Sequence, residues 1–148
     1  MSREPIFSWD EEAGVAICTL FDGNNTYTGV AVCAPEDFDM KNEKTGCQIA
    51  QWRAELDYFI HVRDNELKPE IKALKQLYYG MNQSSHFNEN SYENLSLQRL
   101  IRKKEFDLTV IKEMIADQKR MLREYLEEKG KFYKRIRANR EADRIGQK

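Results

Sequence analysis

Within seventeen residues, from Tyr78 to Asn94, the chain gathers Tyr78, Tyr79, Met81, Asn82, Ser84, Ser85, His86, Phe87, Asn88, Ser91, Tyr92 and Asn94. Aromatic faces stack on nucleobases. An asparagine amide can pair with the edge of adenine through two hydrogen bonds. Serine hydroxyls and a capped helix start receive phosphate oxygens. Arg99, Arg102 and Lys103 follow closely and can neutralise phosphate charge. These are the parts of a site for a small nucleotide-like ligand. An ordinary interhelical turn would use the same residue types, with aromatics at its base and Asn or Ser closing its bends.

Other reactive types are sparse. The sequence has no nucleophile elbow, phosphate-binding glycine loop, H-E-x-x-H helix or EF-hand loop. Cys18, Cys33 and Cys47 form no C-x-x-C pair, and His61 and His86 have no cysteine at zinc-ligand spacing. No metal, no cofactor and no catalytic residue is expected, and the chain reads as a non-enzyme with reduced thiols. Cys47 precedes a helix, where the dipole can lower a thiol pKa, but a small packed residue is the simpler role. His61 falls within an apolar helical periodicity and reads as an interfacial or partly buried histidine rather than a base.

The elements that position these residues are legible from periodicity. Gly14–Phe21 and Thr26–Cys33 flank Asp22-Gly23-Asn24-Asn25, a turn sequence between two strands. Setting Phe21 opposite Thr26 pairs Val15 with Val32, Ile17 with Val30 and Cys18 with Gly29. The β-branched pairs then make one apolar face of a hairpin. Ala34–Gly46 is an acidic connection, with Thr45 a candidate helix cap. Ile49, Leu56, Ile60, Leu67, Ile71, Leu74 and Tyr78 recur at helical spacing, with Pro69 expected to kink or break the helix. Ser91 is a candidate cap for a second helix. There Leu97, Ile101, Lys104, Leu108, Ile111, Ile115, Gln118, Leu122, Tyr125, Lys129, Phe132 and Ile136 follow alternating four- and three-residue steps.

The resulting fold class is α+β: a small N-terminal antiparallel β-sheet followed by two long antiparallel helices, the second with a heptad seam. We read a single domain over 1–148. It comprises the sheet and acidic connection in 1–46, a first helix in 47–80 with a Pro69 break, a polar loop in 81–90 and a second helix in 91–145. The second helix would overhang the first and expose Tyr125, Phe132 and Ile136, which points to a homo-oligomer. Lys104, Gln118 and Lys129 on the seam point into a wet groove rather than a dry coil.

The 148 residues carry a net charge of −1, which conceals a split. Residues 1–98 sum to −8 and residues 99–148 to +7. The basic C-terminal stretch reads as a face that packs on the acidic half, of its own or a neighbouring chain, in preference to a nucleic-acid patch. No apolar run reaches the length of a membrane span, and the first residues lack the apolar stretch of a signal peptide.

Several short blocks together resemble a family. They are Pro35-Glu36-Asp37, Thr45-Gly46-Cys47 with Ala50 and Arg53-Ala54, Lys68-Pro69, Leu77-Tyr78-Tyr79-x-Met81-Asn82, Phe87-Asn88, and Ser91-Tyr92-Glu93-Asn94 before the heptad helix. Over about residues 14–136 the chain is similar to the phage-encoded Thoeris anti-defence proteins of the first type. The resemblance implies a non-enzymatic sponge that sequesters cyclic ADP-ribose isomers made by bacterial TIR-domain enzymes, in the cytoplasm of an infected host. It also implies a dimer or a trimer of dimers, with cyclic oligonucleotides as a second ligand class at a separate site in some members. Carried over, Asn82, Phe87, Asn88, Tyr92 and Asn94, beside His86, would meet the adenine and ribose, and Arg99 or Arg102 the pyrophosphate. The alternative is an oligomeric coiled-coil structural protein or a nucleic-acid-binding phage protein.

Overall fold

The computed structural model describes residues 4–83 and 91–146. The chain is α+β, with a three-stranded antiparallel sheet followed by long helices. It divides into two compact units, one formed by the residues up to Asp57 and those from Asp117 onward, the other by Tyr58–Ala116.

In the first unit, β1 (Ile6–Asp10), β2 (Val15–Asp22) and β3 (Asn25–Val32) lie in sequence order. The β1–β2 turn is held by Asp10, whose Oδ1 accepts from the Glu12 and Ala13 N–H groups. Gly14 and Gly23 close the two turns at φ +64° and +61°, a region that strains any residue with a Cβ. The hairpin register is the expected one: Phe21 pairs with Thr26, Ile17 with Val30 and Val15 with Val32.

The buried face, however, is the other one. Ala16, Cys18, Leu20, Tyr27 and Ala31 are buried, whereas Ile17, Val30 and Val32 are exposed. The reason is the approach of helix α1 (Glu43–His61). Gly46, Ala50 and Ala54 recur every four residues along it, a spacing that places them on one helical face. A Cβ on Gly29 would fall 1.9 Å from the Ala50 carbonyl oxygen and 2.5 Å from the Ala54 nitrogen. A Cβ on Gly46 would fall 3.1 Å from the Ala16 Cβ. Only the small-residue face of the hairpin can lie this close to a helix, so the β-branched face turns outward.

Residues Pro35–Met40 form a 3-10 turn. The cap of α1 is Asn42, whose Oδ1 accepts from the Thr45 N–H at 3.1 Å, so Thr45 is not the cap and the helix begins earlier than expected. The C-terminal part of helix α3 (Tyr92–Gly146) belongs to this unit too. Trp52 meets Tyr125 edge-on at 4.9 Å. Gln118 is buried and donates to the Trp52 carbonyl (3.1 Å) and Glu55 Oε2 (3.4 Å). The seam glutamine is therefore a packed donor rather than a groove residue. Arg137 pairs with Asp37 and Arg140 with Asp39, so the basic end of α3 meets the acidic connection of its own chain.

In the second unit the residues after α1 form a π turn, Val62–Leu67, and then helix α2 (Lys68–Asn82). Lys68 is helical, at φ −60° and ψ −48°, despite preceding proline. The helical path therefore continues past Pro69. The wider π turn gives Lys68 N–H a bond to the Arg63 carbonyl, five residues back, and places Pro69 in the first turn of α2, where a missing N–H is tolerated. Leu67, Ile71, Ile101, Ile111 and Ile115 are buried. Ion pairs Lys104–Glu70 and Lys75–Glu105, each at 3.3 Å, flank the α2–α3 contact. Lys104 is thus engaged with a carboxylate.

Candidate functional site

Two places collect polar and aromatic groups, one in each unit. The first is the C-terminal end of α2 with the first turns of α3. The expected cap at Ser91 is present: its Oγ accepts from the Asn94 N–H at 3.2 Å. This fixes the start of α3 and with it the faces its next turns present. Asn94 is completely buried, while Tyr92 is 81% exposed and Asn82, the last residue of α2, is exposed. Arg99 and Arg102 are exposed on α3. Gln98 Nε2 donates to the Tyr78 hydroxyl (3.3 Å), and Arg102 Nη2 donates to Gln98 Oε1 (3.4 Å). The structure therefore links Tyr78, Gln98 and Arg102 in one chain of hydrogen bonds. Gln98 is a member that sequence reasoning missed. Its four-residue spacing from Arg102 is visible in the sequence, whereas its contact with Tyr78, twenty positions away, is not. His86, Phe87 and Asn88 lie outside the described residues.

The second place is a cavity of about 210 Å³ in the first unit. The sheet contributes Trp9, the acidic connection Lys41, the start of α1 Thr45 and Ile49, and α3 Leu126, Lys129, Gly130 and Tyr133. The Tyr133 hydroxyl is pushed above its ordinary pKa by burial, although a hydrogen bond with Thr45 opposes the shift. Lys41 Nζ sits 4.4 Å from the Phe38 ring centre and 3.8 Å from Glu11 Oε1. Lys129 Nζ lies 5.5 and 5.7 Å from the ring centres of Tyr125 and Phe132.

The thiols do not form an activated centre. Burial pushes Cys18, Cys33 and Cys47 above the ordinary thiol range, and neighbouring carboxylates reinforce this: Glu55 at Cys18, Asp37 at Cys33 and Glu43 at Cys47. All three are therefore protonated near neutrality, and none is in a disulfide. At Cys47 the Glu43 carboxylate works against the helix dipole. Among the described residues no three His, Cys, Asp or Glu side chains converge to hold a metal, and no helix is long and apolar enough to cross a membrane. Comparison of the chain with protein-family models, curated proteins and solved structures returned no match.

Proposed function

We propose that the protein captures a cyclic ADP-ribose-type signalling nucleotide without cleaving it, and so blocks a TIR-based anti-phage defence. One observation carries the reading: a nearly bare aromatic, Tyr92, stands about two to three turns from two exposed guanidiniums, Arg99 and Arg102, at a capped helix start. Stacking and phosphate neutralisation need such an arrangement, and neither needs a nucleophile. A second observation supports assembly of copies. Leu100, Phe106, Val110 and Met114 form an exposed apolar stripe on α3 within the second unit, the kind of patch that partners cover.

The test is depletion. Purified protein is incubated with cyclic ADP-ribose isomers and filtered, the filtrate is assayed, and the retained fraction is heated and analysed by mass spectrometry. Capture predicts loss from the filtrate and recovery of the intact nucleotide. Tyr92→Ala and a combined Arg99→Ala/Arg102→Ala variant should each weaken retention at least tenfold. Undiminished filtrate, or recovery of an opened product, overturns the reading. Native mass spectrometry with and without nucleotide reports the number of copies.

The same α3 stripe supports a purely structural coiled-coil role. That role predicts no nucleotide effect on melting temperature, whereas capture requires one. Nucleic-acid binding draws less support, because Arg137 and Arg140 are already committed to Asp37 and Asp39.

A further inference from the structure

The cavity of the first unit plays no part in nucleotide capture as proposed above. Three observations say what it would hold. Its volume, about 210 Å³, is below the range for drug-sized ligands and suits a single ring with one small substituent. Its lining is mainly apolar, with Trp9, Tyr133, Ile49 and Leu126 as walls. Its charged members are the Asp37 carboxylate, which is paired with Arg137, and two ammonium groups. Lys41 is shared with Glu11, but Lys129 rests only against aromatic rings and has no carboxylate partner among the described residues.

Gly130 marks the rim of the cavity on α3. It stands inside α3, where glycine weakens a helix relative to alanine. Close packing within the chain does not require it, since a Cβ built there meets nothing within 4 Å. Yet it lines the cavity beside Lys129. Gly130 is exposed at the rim, so a side chain there would meet open space beside Lys129 rather than packed atoms.

We infer that this cavity binds a small aromatic carboxylate, its ring between the apolar walls and its anionic group on Lys129, with Lys41 as the second cation. The assay is an NMR titration of the full-length chain, following the Trp9 indole N–H, with benzoate as the probe. Neutral benzyl alcohol and cationic benzylamine serve as comparisons of equal ring size. Benzoate should give saturable shifts, benzyl alcohol should bind at least tenfold more weakly, and benzylamine should not bind. Lys129→Met, which keeps the aliphatic stem, should lose at least tenfold. Gly130→Ala should also lose at least tenfold while its melting temperature holds or rises, which separates a filled cavity from a damaged fold. Should Gly130→Ala melt lower than the parent, Lys129→Met alone decides. Absence of saturation by about 10 mM benzoate, equal binding of benzyl alcohol, or unchanged binding by Lys129→Met overturns the inference.

Discussion

Replacing Gly29 by alanine probes the contact that sets the orientation of the whole sheet. The new Cβ would lie 1.9 Å from the Ala50 carbonyl oxygen and 2.5 Å from the Ala54 nitrogen. Both obstacles are backbone, so no side chain can rotate aside. Ordinary contact begins near 3.4 Å, so β3 and α1 must separate by about 1.5 Å locally. That separation also loosens Ala16, Ala50 and Ala54, all of which have no measurable exposure. Overpacking of this kind costs roughly 1–3 kcal/mol, and two backbone obstacles place it at the upper end. Against this, alanine in a strand recovers about 0.5–1 kcal/mol of unfolded-state entropy. The steric term wins by about 2 kcal/mol, which lowers the melting temperature by roughly 4–8 °C in a chain of this size. Gly80→Ala is the control. Gly80 lies inside α2 with nothing within 4 Å of a built Cβ, so alanine there should be stabilising by up to about 1 kcal/mol. Thermal and urea unfolding followed by circular dichroism compare the two. If Gly29→Ala melts at or above the parent, the close-approach argument fails.

Three further outcomes follow from contacts already described. Arg137→Met should cost about 1–2 kcal/mol, because it strips the partner from an Asp37 side chain only 14% exposed, whereas Arg140→Met, at the 61% exposed Asp39, should stay within about 0.5 kcal/mol in the same urea assay. Gln118→Glu places a carboxylate against Glu55 and the Trp52 carbonyl. It should cost about 3 kcal/mol at neutral pH, and stability should return as pH falls and the new group takes up a proton. The Asp64 carboxyl is held down to about 2, chiefly by its hydrogen bond from Arg63, so its small contribution to stability is present above its ordinary value of 3.8 and is lost as pH falls through about 2. Carboxyl NMR of Arg63→Gln should show the Asp64 titration moving up toward its ordinary value, with Lys68 still holding it below.

Much of the architecture could be read from local pattern. The alternating steps from Leu97 to Ile136 identify the α3 face that is buried or half-buried almost throughout, with Phe132 its one exposed member. The turn chemistry of Asp22–Asn25 fixes the hairpin register. What pattern could not supply was which hairpin face goes inward. Hydrophobicity favours Val15, Ile17, Val30 and Val32, but the distance between sheet and helix decides, and that distance follows from glycine and alanine positions far apart in sequence. The four-residue spacing of Gly46, Ala50 and Ala54, matched to Gly29 and Ala31, was the available signal. The break expected at Pro69 does not occur, because the π turn before it accommodates the missing N–H and the helical path continues. At the α2–α3 end, residue types were legible, while the Tyr78–Gln98–Arg102 link depends on two helices meeting. The cavity beside Lys129 draws residues from five stretches of chain and leaves no local signature at all.

The outward turn of the β-branched face leaves β3 in a hazardous position. It is an outer strand of the sheet, so alternate peptide groups point away from β2 and are free to pair with an added strand. Open strand edges with exposed apolar side chains, here Val30 and Val32, invite pairing with another chain. Arg53, from α1, reaches across and donates from Nη1 to the Val30 carbonyl oxygen at 2.7 Å. A guanidinium thus occupies one rung of the open ladder and sets a charge on it. An incoming strand would have to displace that side chain before it could zip along β3. Growth of the sheet by continuation along β3 is therefore obstructed at that rung by a side chain of the same chain.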